Sequence, residues 1–70
     1  MDINSLLRQK RRAAGYDTTA IASRLGMVTA EYDLREIGCL KFTPEEQAAL
    51  VELLNLTEED QKEIFPYNAH

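Results

Sequence analysis

The chain has 70 residues, 44% of them hydrophobic, and a formal net charge of −4. This length suits one small domain, the hydrophobic share excludes a disordered chain, and the single Cys39 excludes an internal disulfide. Because no Cys/His cluster, signal peptide or apolar run near the ~18 residues of a membrane span is visible, we expect a cytoplasmic protein with no membrane partner, metal or cofactor.

The first two predicted helices are delimited by glycines. Helix one is expected over about residues 2–14, and Gly15 follows it where a helix C-terminus favours a residue that can take a positive φ. Asp17 is suited to cap the N-terminus of helix two, because its carboxylate can accept from the orphan amides of the first turn. Helix two is expected over residues 18–25 and ends at Gly26.

Three further helices follow, expected over about residues 29–37, 43–54 and 57–65. Helix three ends before Gly38. Helix four has the clearest start, since Thr43, Pro44 and Glu46 supply the cap hydroxyl, the first-turn proline and the returning carboxylate of a capping box. Pro66 stops helix five.

No segment shows the alternation of a strand, so the chain is predicted to be all-α with five helices. One domain is expected over residues 1–66, followed by a flexible tail over residues 67–70. In helix four, Ala48, Val51 and Leu54 are expected to face the core, because their spacing places them on one side of the helix.

Residues 15–38 have the layout of two short helices joined by a tight turn, which is a helix-turn-helix. The chain resembles the phage repressor and Cro-type (Xre-like) helix-turn-helix family over residues 4–65. The residues that carry this resemblance are Gly15, Asp17, the run Ile21-Ala22-Ser23-Arg24-Leu25-Gly26, Tyr32, the run Glu36-Ile37-Gly38, and the run Lys41-Phe42-Thr43. The resemblance implies a compact five-helix domain whose third helix enters the major groove of DNA.

The resemblance also implies an ion pair beneath helix three. Several members of the family pair an arginine near the end of helix one with a glutamate near the end of helix three, and Arg11 and Glu36 occupy those places. Such a pair would fix the angle between the two helices. The alternative is that both residues are ordinary surface charges.

By the same resemblance, the bases are read from Thr18, Val28, Thr29, Ala30, Asp33 and Leu34, and the phosphates are contacted by Arg8, Arg12 and Lys41. None of the six base-reading positions holds Arg, Lys, Asn or Gln, the side chains that most often read base edges. Asp33 would approach phosphates unfavourably. The basic run from Arg8 to Arg12 is equally consistent with a solvated helix face.

An apolar strip on the same side of the domain favours a second function. It consists of Val28, Leu34, Ile37, Cys39 and Leu40. Each residue alone could pack in the core, but a 70-residue domain cannot easily bury all of them, and exposed contiguous apolar surface usually marks a partner site. Two hypotheses follow: a dimeric repressor or Cro-like DNA-binding regulator, and a protein-binding module of the same fold, an antirepressor or co-repressor that binds a partner regulator.

Catalysis is not expected, because no nucleophile, acid or base stands in a recognisable arrangement. Five carboxylates lie in the first turns of the last two helices, where the helix dipole favours them, and no histidine accompanies them in a plausible site; they are Glu45, Glu46, Glu58, Glu59 and Asp60. The apolar residues of helices four and five exceed what one side of a small core needs, which indicates a homodimer through those helices. These residues are Leu50, Leu53, Leu56, Ile64 and Phe65.

Overall fold

Residues 5–68 are described by the computed structural model, and within them the chain is entirely helical apart from turns. The elements are α1 (Ser5–Ala13), α2 (Thr18–Arg24), α3 (Thr29–Glu36), α4 (Pro44–Leu54), α5 (Glu58–Ile64) and a C-terminal 3-10 helix (Pro66–Asn68). The prediction of an all-α chain with five α-helices is therefore confirmed. Each described helix end lies within one residue of its expected place, and residues 2–4 of the first predicted helix lie outside the described part.

Reciprocal side-chain caps begin α4 and α5. Thr43 Oγ1 accepts from the Glu46 amide at 3.2 Å, and Glu46 Oε1 accepts from the Thr43 amide at 2.9 Å. Thr57 and Asp60 repeat this pattern at 3.1 and 3.0 Å. The bond from the Thr57 amide lowers the pKa of the Asp60 carboxyl. A cap of this kind contributes about 1 kcal/mol, because it satisfies amides that have no partner inside the helix.

The turn between α2 and α3 depends on a residue in the left-handed region. Gly26 has a φ of 72°, and its amide donates to the Ser23 carbonyl at 3.2 Å. The next amide, that of Met27, donates to the Ala22 carbonyl at 3.0 Å. Together these bonds form a Schellman motif, which satisfies the last carbonyls of α2 and turns the chain into α3.

The core is formed by side chains from all five α-helices, from the α3–α4 and α4–α5 loops, and from Phe65 directly after α5. Three aromatic rings connect its parts: the Tyr32 and Phe42 centroids are 6.0 Å apart, and those of Phe42 and Phe65 are 5.8 Å apart. The buried apolar residues are Leu7, Ile21, Ala22, Tyr32, Phe42, Leu50, Leu54, Leu56, Ile64 and Phe65.

Two expectations about α4 and α5 are corrected by this core. Leu54 is buried and Val51 packs against the core as expected, but Ala48 is exposed and Leu50 is buried, so the inward face of α4 is rotated from the expected one. The larger apolar side chain takes the interior place because its burial is worth more free energy. The apolar residues assigned to a dimer surface are also used internally: Leu53 is half-buried against the core, and Leu50, Leu56, Ile64 and Phe65 are buried in it.

The domain continues past residue 66, where a flexible tail was expected. Tyr67 and Asn68 belong to the 3-10 helix, and the Tyr67 hydroxyl accepts from the Phe42 amide at 2.9 Å. The Tyr67 ring lies 6.3 Å from that of Phe65. Residues 69–70 of the expected tail lie outside the described part. Among the described helices, none is long and apolar enough to cross a membrane.

Candidate recognition surface

The outward face of α3 is set by the residues that the helix buries. Tyr32 and Glu36, four residues apart, point into the domain and are 0% and 5% exposed. Because 3.6 residues make one turn, Ala30, Asp33 and Leu34 lie together on the opposite side, and all three are exposed. Val28, directly before the helix, is also exposed. We call these four residues, Val28, Ala30, Asp33 and Leu34, the reading face.

The expected threonines lie where α2 packs on α3. Asp17 caps α2 by accepting from the Ala20 amide at 2.7 Å, which places Thr18 at the first position of the helix. Thr18 and Thr29 are both half-buried, and the Thr29 hydroxyl donates to the Thr19 hydroxyl oxygen at 3.4 Å. All six expected base-reading positions therefore keep some solvent access, four of them on the reading face.

A buried ion pair joins α1 to α3, as the resemblance implied. Arg11 Nε donates to Glu36 Oε1 at 2.8 Å, and Arg11 Nη2 donates to Glu36 Oε2 at 3.3 Å. The remaining guanidinium nitrogen, Nη1, donates to the Tyr16 carbonyl at 2.9 Å. Both charged side chains are 6% exposed. The pair therefore fastens α3 to α1 and to the α1–α2 turn at once.

Tyr32 completes this network from within α3. Its hydroxyl donates to Glu36 Oε1 at 2.8 Å, so this carboxylate oxygen accepts two hydrogen bonds. The hydrogen bond with Glu36 raises the pKa of Arg11, and burial together with the nearby Glu36 carboxylate raises the pKa of Tyr32. Both shifts keep the network in the protonation state in which every polar group has a partner.

One residue of the basic run of α1, Arg11, is buried, whereas Arg8 and Lys10 are half-exposed in ion pairs and Arg12 is exposed. Arg11 is buried, and Arg8 Nε lies 3.9 Å from Glu36 Oε2 with its side chain 32% exposed. Lys10 Nζ lies 3.3 Å from Asp60 Oδ2 on α5. Arg12 is exposed and borders a shallow groove of about 520 Å³ that Thr18 also lines. Two of the residues expected near DNA are thus brought together in one groove.

A basic side chain that sequence reasoning did not single out faces away from the reading face. Arg35 is the only Lys or Arg of α3; its Nη1 donates to the Glu31 carbonyl at 3.1 Å, and its Nε lies 3.4 Å from Glu46 Oε1. This contact joins α3 to the start of α4. The capping box predicted at Thr43 placed a carboxylate there, but nothing local indicated which basic side chain would meet it.

The turn after α3 places the rest of the apolar strip beside the helix. The Cys39 and Leu40 amides both donate to the Leu34 carbonyl, at 2.8 and 3.2 Å. Gly38, at a φ of 92°, permits this tight return. The exposed fractions are 64% for Val28, 42% for Leu34, 40% for Ile37 and 45% for Leu40, and Cys39 is exposed. The alternative that these residues pack in the core does not hold for the strip.

Lys41 is the remaining residue expected near phosphates. It is exposed on the loop between α3 and α4, and its ammonium nitrogen lies 5.6 Å from the centroid of the Tyr67 ring. An ammonium group over an aromatic face is attracted by the negative charge of that face. Among the described residues, no group of histidine, cysteine and carboxylate side chains could hold a metal ion.

Comparison with protein families, curated proteins and solved structures finds no relative of this chain. No family model matches the chain, and no curated protein or solved structure is significantly similar to it.

Proposed function

We propose that the protein is a DNA-binding transcriptional regulator of the repressor or Cro type, with α3 entering the major groove. The observation that carries the proposal is the reading face, which is presented on a helix of suitable size beside the start of α2. A major groove about 12 Å wide admits one α-helix. The ion pair of Arg11 and Glu36 holds this helix from behind, so docking would cost little reorganisation.

Few cations support the contact with the phosphates. Arg12 and Lys41 are exposed, and Arg8 is half-exposed beside Glu36. Three phosphate contacts would give a slope of about −2.7 for the logarithm of the binding constant against the logarithm of salt concentration. The proposed binding is therefore weakly salt-dependent for a DNA-binding protein, and low salt is the condition in which to observe it.

Binding of the full chain to mixed-sequence duplex DNA over a salt series tests the proposal. We expect a negative slope that Arg12→Ala or Lys41→Ala each reduces by about 1, because each removes one phosphate contact. Lys62→Ala is the matched control, since it removes the same charge from an exposed position of α5. Binding that is absent at low salt, or independent of salt, would contradict the proposal.

The apolar strip favours a second candidate function. Four large apolar side chains between 40% and 64% exposed are costly to leave in water, and such a patch usually marks a protein contact. In this alternative the domain is an antirepressor or co-repressor whose α3 and following turn bind a partner regulator. Leu34→Asp combined with Ile37→Asp should then abolish capture of that partner from cell extract while the helical circular dichroism stays unchanged. If the double variant still captures the partner, the apolar strip is not the partner-binding surface.

A homodimer is part of the DNA-binding proposal, because two domains related by a two-fold axis match the half-sites of a palindromic operator. Of the residues first assigned to this dimer, Leu50, Leu56, Ile64 and Phe65 are buried in the core of one chain, and the half-buried Leu53 keeps surface that an interface could use. Sedimentation equilibrium of the full chain, with and without duplex DNA, measures the oligomeric state directly.

A further inference from the structure

We infer that the reading face selects thymine methyl groups and a cytosine amino group, so that α3 reads a pyrimidine-rich strand. This inference rests on the proposed DNA-binding function and adds the class of bases that it recognises. It is carried by the hydrogen-bonding capacity of the exposed side chains of α3 and by the spacing of its apolar ones.

The reading face has one strong acceptor and no donor in its side chains. Its members are three apolar residues and Asp33, whose carboxylate only accepts when ionised. Two donors of α3 itself are engaged elsewhere: Arg35 is bonded to Glu31 and paired with Glu46, and the Thr29 hydroxyl donates to Thr19. A guanine, which presents two acceptors in the major groove, would find no donor among the four side chains of the reading face.

The apolar residues match the only apolar group of the major groove. Ala30 and Leu34 stand four residues apart on one side of α3, and Val28 precedes them at the end of the helix that enters first. The thymine 5-methyl is the base substituent that such side chains contact favourably. Opposite Leu34, any other base edge would lose water from its polar atoms without gaining a partner.

Asp33 favours cytosine over adenine. Both bases present an amino donor in the major groove, but adenine places the N7 acceptor beside it, which repels a carboxylate. Cytosine presents its N4 amino group beside an apolar C5–H. Asp33 lies three residues after Ala30, so the two side chains are neighbours on the helix surface and the cytosine that Asp33 binds would adjoin a thymine.

The test uses two libraries of random duplexes, identical except that one carries uracil in place of thymine. Uracil keeps the pairing and charge of thymine and lacks only the 5-methyl group. Selection with the full chain at low salt should enrich half-sites with thymine and cytosine on one strand. Replacing thymine by uracil in a selected duplex should weaken binding about four-fold for each methyl that is contacted.

Two variants assign the effect to this face. Leu34→Ala should bind the thymine duplex more weakly than the parent chain does. On the uracil duplex the variant and the parent should bind alike, because the methyl group that Leu34 contacts is already absent there. Asp33→Asn should move the preference at one position from cytosine to adenine, since an amide can bond both N6 and N7 of adenine. Glu52→Gln, an exposed acid of α4, is the control for loss of one negative charge.

The outcomes separate this inference from the function on which it rests. Binding with equal affinity to thymine and uracil duplexes, or enriched half-sites in which purines and pyrimidines are mixed on each strand, would overturn the base assignment and leave DNA binding intact. If no duplex is bound at any salt concentration, the DNA-binding function is overturned and the base assignment with it. Circular dichroism of each variant shows whether a loss of binding is a loss of folding.

Discussion

At the scale of single residues, we expect loss of the Arg11–Glu36 pair to lower the free energy of unfolding strongly. Each group is almost fully removed from water and satisfied by the other, by the Tyr16 carbonyl and by the Tyr32 hydroxyl. Removing one partner leaves an uncompensated buried charge, at a cost of about 3–5 kcal/mol. A domain of this size is stabilised by about 4–10 kcal/mol in total. Breaking this one ion pair would therefore remove a large fraction of the free energy of unfolding.

Arg11→Ala should lower the free energy of unfolding by about 3–5 kcal/mol in urea titration, because the Glu36 carboxylate stays buried without its main partner. Arg12→Ala is the matched control, since the neighbouring arginine is exposed and should change the value by less than about 0.5 kcal/mol. Equal stabilities for the two variants would contradict the structural role of the pair.

The Tyr32 hydroxyl makes the stability depend on alkaline pH. Its pKa is raised in the folded chain, so the folded state holds the proton where the unfolded state releases it, above pH about 10. This contribution is complete below the unfolded pKa and is lost as pH rises above it. Tyr32→Phe should cost about 1.5–3 kcal/mol at neutral pH through the lost bond to Glu36. The difference between variant and parent should shrink at pH 11, and a constant difference would contradict this linkage.

On the candidate recognition surface, the sequence predicts which residues are exposed better than it predicts which side chains contact one another. The exposure of Val28, Leu34, Ile37 and Leu40 follows from too many apolar residues for one small core. The engagement of Arg35 with Glu46 could not be predicted, because it depends on how α4 crosses the end of α3. Sequence spacing defines the face of one helix and leaves the approach of another helix undetermined.

At the scale of elements, the turn between α2 and α3 determines how the reading face is presented. Gly26 takes a φ of 72°, and a Cβ added there would meet nothing within 4 Å. Gly26→Ala should therefore cost only the backbone penalty of the left-handed region, about 1–2 kcal/mol. This corresponds to a fall in the thermal midpoint of about 4–8 °C for each kcal/mol. Gly26→Asn should cost less, because asparagine tolerates this conformation; equal losses would contradict the explanation.

The helix boundaries could be predicted because their signals are local. Which face of α4 points inward could be predicted only in part, because it depends on packing against the other helices. The caps at Thr43 and Thr57 and the left-handed glycines act within a few residues of chain, so their sequence signals are complete in themselves. The inward face of α4 depends instead on which side chain fills the interior. Leu50 does so, while Ala48, at a position that the local spacing also allowed, remains in solvent.

At the scale of the whole molecule, the C-terminal 3-10 helix supports the loop that carries Leu40 and Lys41. The Tyr67 hydroxyl accepts from the Phe42 amide, and Gln47 and Asn68 bond each other through their side-chain amides. Tyr67→Phe should lower the free energy of unfolding by about 1–3 kcal/mol, because a part-buried amide loses its acceptor. Hydrogen exchange should show faster exchange at the Phe42 amide. Unchanged exchange there would contradict the bond.

Two hydrogen bonds described above have a consequence for how the chain folds. Arg11 binds Glu36 and Phe42 binds Tyr67, and each contact spans the same 25 residues. The two loops that these contacts close do not overlap along the chain, and the touching rings of Tyr32 and Phe42 join them. Each loop can therefore close without waiting for the other, at a similar and modest cost in chain entropy. Short, independent closures are typical of helical domains that fold within microseconds to milliseconds.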